Sequence, residues 1–275
     1  MGTAEGNEMN KTKIICFANN KGGSGKSTTC SNVAYGLHLL GKRVLLVDGD
    51  MQANLSLAFL PEERVLALAE GENNLYAAVQ KEADLAGYCV PTEYEGLDLI
   101  PASPLMSSLE YQLYPKRDRE FVLSRCLEGV RREGNYDYIL MDAPPALGGW
   151  AMNLLTASDY LVIPVEASPW GLFGLANMFD FYRKACEKNP LLSLMGIVVT
   201  KVDVRKNYYR QTMETLGELR DVHVFQTCIR MDSSVEWSQD NSKPVMAYKK
   251  SSRSAKEYMS LTEEVEEIAS GKKQH

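Results

Sequence analysis

Near the start of the chain, Asn19-Asn20-Lys21-Gly22-Gly23-Ser24-Gly25-Lys26-Ser27-Thr28-Thr29 has the residue types and spacing that phosphate chemistry needs. Glycines let consecutive backbone N–H groups point into one concavity with no Cβ in the way of a phosphate. A lysine followed by a hydroxyl residue adds a charge for the β- and γ-phosphates and a ligand for Mg²⁺. Lys26 and Ser27 fill these places, and Lys21, Gly22, Gly23, Ser24, Gly25 and Thr28 complete the nucleotide-contacting set. Two further groups of carboxylates end apolar runs. Asp48 and Asp50 follow Val44–Val47, and Asp142 follows Tyr136–Met141. A carboxylate at such a strand end, downstream of a phosphate loop, is placed to hold Mg²⁺. Pro144 and Pro145 stiffen the segment after Asp142 and remove two donors, which marks it as a candidate switch.

These groups need strands that end at one edge. The apolar runs 14–18, 44–47, 97–100, 136–142, 160–165, 195–200 and 222–225 read as strands. Helical periodicity follows the glycine loop, with Val33, Leu37 and Leu40 on one face. It recurs at 54–60, 74–81, 118–132, 170–188 and 255–270. Strand and helix alternate without a linker-like or low-complexity break. The expectation is an α/β fold, a single doubly wound, mostly parallel sheet with helices on both faces, spanning 13–270. Residues 1–12 read as a flexible leader and 271–275 as a tail.

Composition narrows the function classes. The six cysteines include no C-x-x-C pair and the three histidines do not cluster, so zinc and iron–sulfur sites are not expected. No apolar run reaches the length of a spanning helix and no signal-peptide pattern is present, so a cytoplasmic protein is expected. The net charge of −6 excludes a chain that is basic throughout but not a local basic face. Two clusters qualify: Arg205, Lys206 and Arg210 around Tyr208 and Tyr209, and the acid-free stretch from Lys243 through Lys249, Lys250 and Arg253 to Lys256. Arg205, Lys206, Arg210, Lys249, Lys250 and Arg253 are the DNA-binding candidates. The last helix has Glu263, Glu264, Glu266 and Glu267 on its polar side, the wrong sign for an anionic membrane surface.

The loop K-G-G-x-G-K-S, with Asn20 where the general phosphate loop has its first glycine, resembles the deviant Walker A motif of the ParA/MinD class. LLVDGDMQANLS at 45–56, YDYILMDAPPALG at 136–148, TKVDVRKN at 200–207 and KPVMAY at 243–248 follow in the order seen in ParA-type partition ATPases. The resemblance covers roughly 13–268. It implies ATP and Mg²⁺ as cofactors and a homodimer closed around ATP, with Lys21 reaching the partner's phosphates. It further implies that Asp50 orients the attacking water, that Asp48 lies near the metal beside Asp142, and that Asp203 and Asp232 belong to the nucleotide site. Non-specific DNA and a ParB-like protein that stimulates slow hydrolysis are the implied partners, at the nucleoid and not at a membrane. A plasmid, chromosome or mobile element is the implied cargo. The alternative is a MinD-like or non-DNA positioning switch. The chain departs from the family at Asp50-Met51-Gln52, where Asp-Pro-Gln is usual, and at Ser234, where an arginine is usual. Thr200-Lys201-Val202-Asp203 could also read guanine, but adenine is the expected base.

Overall fold

The computed structural model describes residues 12–168 and 170–271. Of the expected leader and tail, only Thr12 and Gly271 fall among the described residues. Seven strands form one sheet there: β1 Lys13–Phe17, β2 Val44–Asp48, β3 Val90–Pro91, β4 Leu97–Ile100, β5 Tyr138–Asp142, β6 Tyr160–Glu166 and β7 Ser193–Thr200. Their order is β3-β4-β2-β5-β1-β6-β7, and all pairs are parallel except β3 with β4. This is the doubly wound, mostly parallel sheet the alternation predicts. β2 and β5 are buried at every position, as central strands covered on both faces must be.

Sheet register sets the chemistry. Phe17 pairs with Asp142 across β1 and β5, and Asp48 pairs with Asp142 across β2 and β5. The glycine loop, Asp48 and Asp142 therefore leave the sheet side by side at its C-terminal edge, where α/β folds bind ligands.

Several expected elements change form. Residues 222–225 make only an isolated bridge, Ile197 with Val224, instead of a strand. The ladder stops because the backbone N–H groups of Gln226 and Thr227 donate to the Glu264 carboxylate, at 2.8 and 2.9 Å. A short antiparallel edge strand, β3, forms at Val90–Pro91, where no strand was expected. The 118–132 helix breaks into Arg119–Phe121, Val122–Cys126 and Glu128–Glu133. Asn153 captures its backbone there, accepting from Leu123 N at 3.2 Å and donating to Arg119 O at 2.8 Å. The 170–188 helix begins at Leu175, because Gly174 before it has φ 89°. Helix 54–60 is regular only over Asn54–Leu57. Helices at Glu62–Glu70, Gly149–Thr156, Asn207–Gly217, Ser233–Asp240 and Val245–Tyr248 were not anticipated. Among the described residues no helix is long and apolar enough to cross a membrane.

Candidate functional site

Between β1 and the helix Lys26–Leu39 the chain turns through Gly23 at φ 73° and Gly25 at φ 88°, conformations that favour glycine. A Cβ on Gly22 would meet nothing within 4 Å, so the loop faces open space there. Gly25 caps the helix without a side-chain acceptor. The first N–H groups of a helix have no intrahelical partner, and its dipole favours an anion at this end. The loop is braced from behind. Thr200 Oγ1 donates to Ser24 O at 2.8 Å, Asn19 Nδ2 to Pro164 O at 2.6 Å, and Lys21 N to Asn19 Oδ1 at 3.1 Å. Lys26 Nζ donates to Lys21 O at 3.3 Å, which points the ammonium across the concavity. Burial pulls the Lys26 pKa down, and Asp142 and Asp50 oppose that.

Asp48, Asp50 and Asp142 are all buried. Asp48 is largely held by its own chain: Oδ2 accepts from Ser56 N at 2.7 Å and Ser56 Oγ at 2.6 Å, and Oδ1 from Asp50 N at 3.3 Å. Burial still outweighs those bonds and lifts its pKa to about 6. Asp50 Oδ1 accepts from Gln52 N at 3.1 Å. Asp142 differs from both. It is fully buried, and neither carboxylate oxygen has a hydrogen-bond partner. Burial first and Asp48 second push its pKa well up. The Ser27 hydroxyl and Lys26 oppose the rise, the hydroxyl being near without meeting hydrogen-bond geometry. A buried carboxylate with two unused oxygens is what a cation-binding position needs. Among the described residues no three His, Cys, Asp or Glu side chains converge. That suits Mg²⁺, which binds through one or two protein groups and completes its shell with phosphate oxygens and water.

Lys21 lies against its own chain, with Nζ 2.7 Å from Glu166 Oε2 and 3.0 Å from Ser168 Oγ. Both partners of the ion pair keep over a quarter of their side-chain surface exposed, so the pair is worth no more than ~1 kcal/mol. It is a resting place that a stronger anion can replace.

A family model described as "AAA domain" matches residues 12–194. The Bacillus subtilis (strain 168) sporulation initiation inhibitor protein Soj is 37% identical over 254 residues, covering 92% of this chain and 98% of its own. The chromosome partitioning protein ParA of Caulobacter vibrioides (strain NA1000 / CB15N) is 31% identical over 257 residues, covering 93% and 94%. The chain belongs to the ParA/Soj family of P-loop ATPases. Among solved structures, the putative plasmid partition protein of Borrelia burgdorferi B31 bound to AMPPNP superposes with a TM-score of 0.78 at 25% identity. It covers 94% of this chain and 100% of its own.

In this ParA/Soj family member the remaining candidates divide into engaged and free groups. Asp203 is held by Arg205 through Nε and Nη2, both at 2.9 Å, and by the Arg205 N–H. Those bonds hold its carboxyl down at about 2. Asp232 caps two helices, accepting from Ser234 N at 2.9 Å and Ser254 N at 3.2 Å. Burial alone would raise its pKa, but the donors from Ser234 and Ser254 leave it lowered. Arg210 pairs with Glu214, and Arg253 with Glu257. Lys206, Lys249 and Lys250 are exposed, and none forms an ion pair among the described residues. Sequence reasoning missed Glu166, Ser56, Glu110, Trp150 and Gln239, whose Nε2 donates to Thr28 Oγ1 at 2.9 Å. Apart from Ser56, which lies eight residues from Asp48, each acts on a partner distant in the chain, so no local motif could show it. Only Trp150 gave a hint: a large ring two residues after Gly148, in the stretch that leaves the Pro-Pro turn.

Proposed function

We propose that this protein hydrolyses Mg·ATP as a face-to-face dimer, binds DNA non-specifically while ATP is bound, and so segregates a plasmid, chromosome or mobile element. A ParB-like partner accelerates hydrolysis. The observation that carries the ATPase reading is the fully buried Asp142 carboxylate with no protein partner, facing Lys26, Ser27 and an uncapped helix N-terminus. The partition role is supported by relatives named for chromosome partitioning and by a structural neighbour titled a plasmid partition protein.

In this mechanism the loop N–H groups and Lys26 hold the β- and γ-phosphates. Ser27 and Asp142 would hold Mg²⁺, with Asp48 behind them. When bound, the metal supplies charge neutralisation on the phosphate oxygens. Asp50 orients the water for in-line attack on the γ-phosphorus, as the water-positioning residues of other NTPases do. Lys21 leaves Glu166 and reaches the partner chain's phosphates, where charge builds during transfer. Hydrolysis removes the γ-phosphate that holds the two chains together, and the dimer opens.

DNA binding is tested by fluorescence anisotropy on random-sequence duplex with ATP, ADP or no nucleotide, across a salt series. Binding is expected with ATP only, weakening linearly in log salt. A wild-type chain that ignores DNA at low salt with ATP present removes the partition reading. It would leave a nucleotide-driven switch for another cargo, a reading favoured by the carboxylate partners of Arg205, Arg210 and Arg253. Lys249→Ala with Lys250→Ala removes two unpaired charges. It is expected to lower the log–log salt slope by roughly 2 without changing ATP turnover in the absence of DNA. An unchanged slope places the DNA surface elsewhere.

A further inference from the structure

We propose that Trp150 is a positioning residue for hydrolysis: its indole N–H fixes the Asp48-Gly49-Asp50 turn, and with it the carboxylate of Asp50. The inference rests on the reading of that turn as the segment facing the γ-phosphate. Trp150 Nε1 donates to Gly49 O at 2.9 Å, a buried bond between residues 101 positions apart. The other side of the same residue is also tied, because Gly49 N donates to Asp142 O at 2.9 Å. A Cβ at position 49 would lie 2.5 Å from Asp142 O and 2.9 Å from Leu154 Cδ1. The turn is thus pressed directly onto the end of β5 and onto the helix Gly149–Thr156.

Beyond Asp50 the support is local: Gln52 N donates to Asp50 Oδ1 at 3.1 Å and Ala53 N to Asp50 O at 3.0 Å. Met51 is 44% exposed, and the proline usual in the family at this position is absent. The Gln52 and Ala53 bonds close the turn on itself, and the bonds that tie Gly49-Asp50 to distant parts of the chain are the two made by Gly49, to Asp142 O and from Trp150 Nε1. Trp150 is well placed for this. It is 4% exposed, and its helix is anchored at the first turn by Glu110, which accepts from Gly149 N and Trp150 N, both at 3.0 Å. An aliphatic side chain could fill the same volume but could not donate. Without the indole N–H, a buried carbonyl loses its partner and the Gly49–Asp50 peptide is free to rotate toward another donor. A displacement of about 1 Å at a catalytic carboxylate is enough for a large loss in rate.

The test compares steady-state ATP hydrolysis of the wild-type chain, Trp150→Phe and Asp50→Asn. Trp150→Phe keeps an apolar ring and removes the donor. The expected result is a fall in kcat of about tenfold with KM for ATP within about twofold. A purely structural role would lower thermal stability and leave kcat per folded chain unchanged, and that outcome overturns the proposal. A second measurement applies even where Trp150→Phe does not fold. Trp170 and Trp237, 69% and 52% exposed, are replaced by Phe so that Trp150 is the sole tryptophan. Biosynthetic replacement of that one tryptophan by benzothienylalanine, which keeps the ring and carries sulfur in place of the N–H, is expected to lower kcat by about the same factor with KM unchanged; an unchanged kcat overturns the proposal. If Asp50→Asn keeps full turnover, the underlying reading of the turn has failed instead. If Asp50→Asn is dead and Trp150→Phe is not, the positioning role alone has failed.

Discussion

Lys26→Ala is expected to reduce ATP turnover by about 10³-fold or more and also to destabilise the nucleotide-free chain by ~2 kcal/mol. The kinetic loss follows from removing the one buried ammonium that faces the phosphate concavity. The stability loss has a separate origin. Asp48, Asp50 and Asp142 are packed around the strand ends, and Asp142 and Asp50 both act on the Lys26 ammonium. Without it, the burial and the neighbouring carboxylates that push the Asp142 pKa up lose an opposing positive charge. The effect is placed below the 3–5 kcal/mol of a broken buried pair because Lys26 Nζ meets a backbone carbonyl instead of a carboxylate. Asp142→Asn should move the other way, raising nucleotide-free stability by ~1 kcal/mol while removing Mg²⁺-dependent nucleotide binding. The double variant separates the two effects. Denaturant unfolding should return it close to wild-type stability, with coupling between the sites, and it should still not hydrolyse ATP. A double variant no more stable than Lys26→Ala would show that Asp142 is not the ammonium's partner.

Lys21→Ala should keep nucleotide affinity within a few-fold and yet lose hydrolysis by about 10³-fold, together with ATP-driven dimerisation. Lys21 is not buried in the cradle. Its ammonium rests on Glu166 and Ser168 at the rim, and its removal disturbs no phosphate contact made within one chain. The exposed pair with Glu166 contributes too little to hold it there against a triphosphate. Calorimetry with ATP and sedimentation with and without ATP check the two halves. Wild-type turnover in this variant would mean that the second lysine has no part in phosphoryl transfer.

The phosphate loop and Asp142 were legible because each is a local pattern whose geometry needs only the strand before it and the turn after it. The parallel sheet was legible for the same reason, as uninterrupted apolar runs. What each carboxylate holds was not. Ser56 claims Asp48 from eight residues away, Trp150 reaches Gly49 across 101 and Glu166 meets Lys21 across 145. Glu264 takes the N–H groups of Gln226 and Thr227, just past the 222–225 run, so the pairing cannot extend beyond it, and a run of apolar residues cannot show a competing acceptor 38 positions ahead. The glutamates of the last helix were read only as the wrong sign for a membrane surface, and one of them, Glu264, grips two backbone amides, while Glu257 on the same helix accepts from Arg230 N at 2.9 Å. The basic clusters were read as DNA-binding candidates, but their arginines have carboxylate partners, and Lys206, Lys249 and Lys250 form no ion pair among the described residues.

The central claim is that each nucleotide is completed by a lysine from the other chain, and mixing two inactive variants tests it most directly. Lys21→Ala lacks the transferred charge, and Asp50→Ala lacks the group that orients the water. In a mixed dimer, the site built on the Lys21→Ala chain keeps its own Asp50 and receives Lys21 from its partner. If Lys21 acts across the interface, mixing should restore turnover to on the order of a quarter of the wild-type rate. If Lys21 acts within its own chain, every site in every mixture lacks one of the two groups. A mixture as inactive as its components would contradict the account.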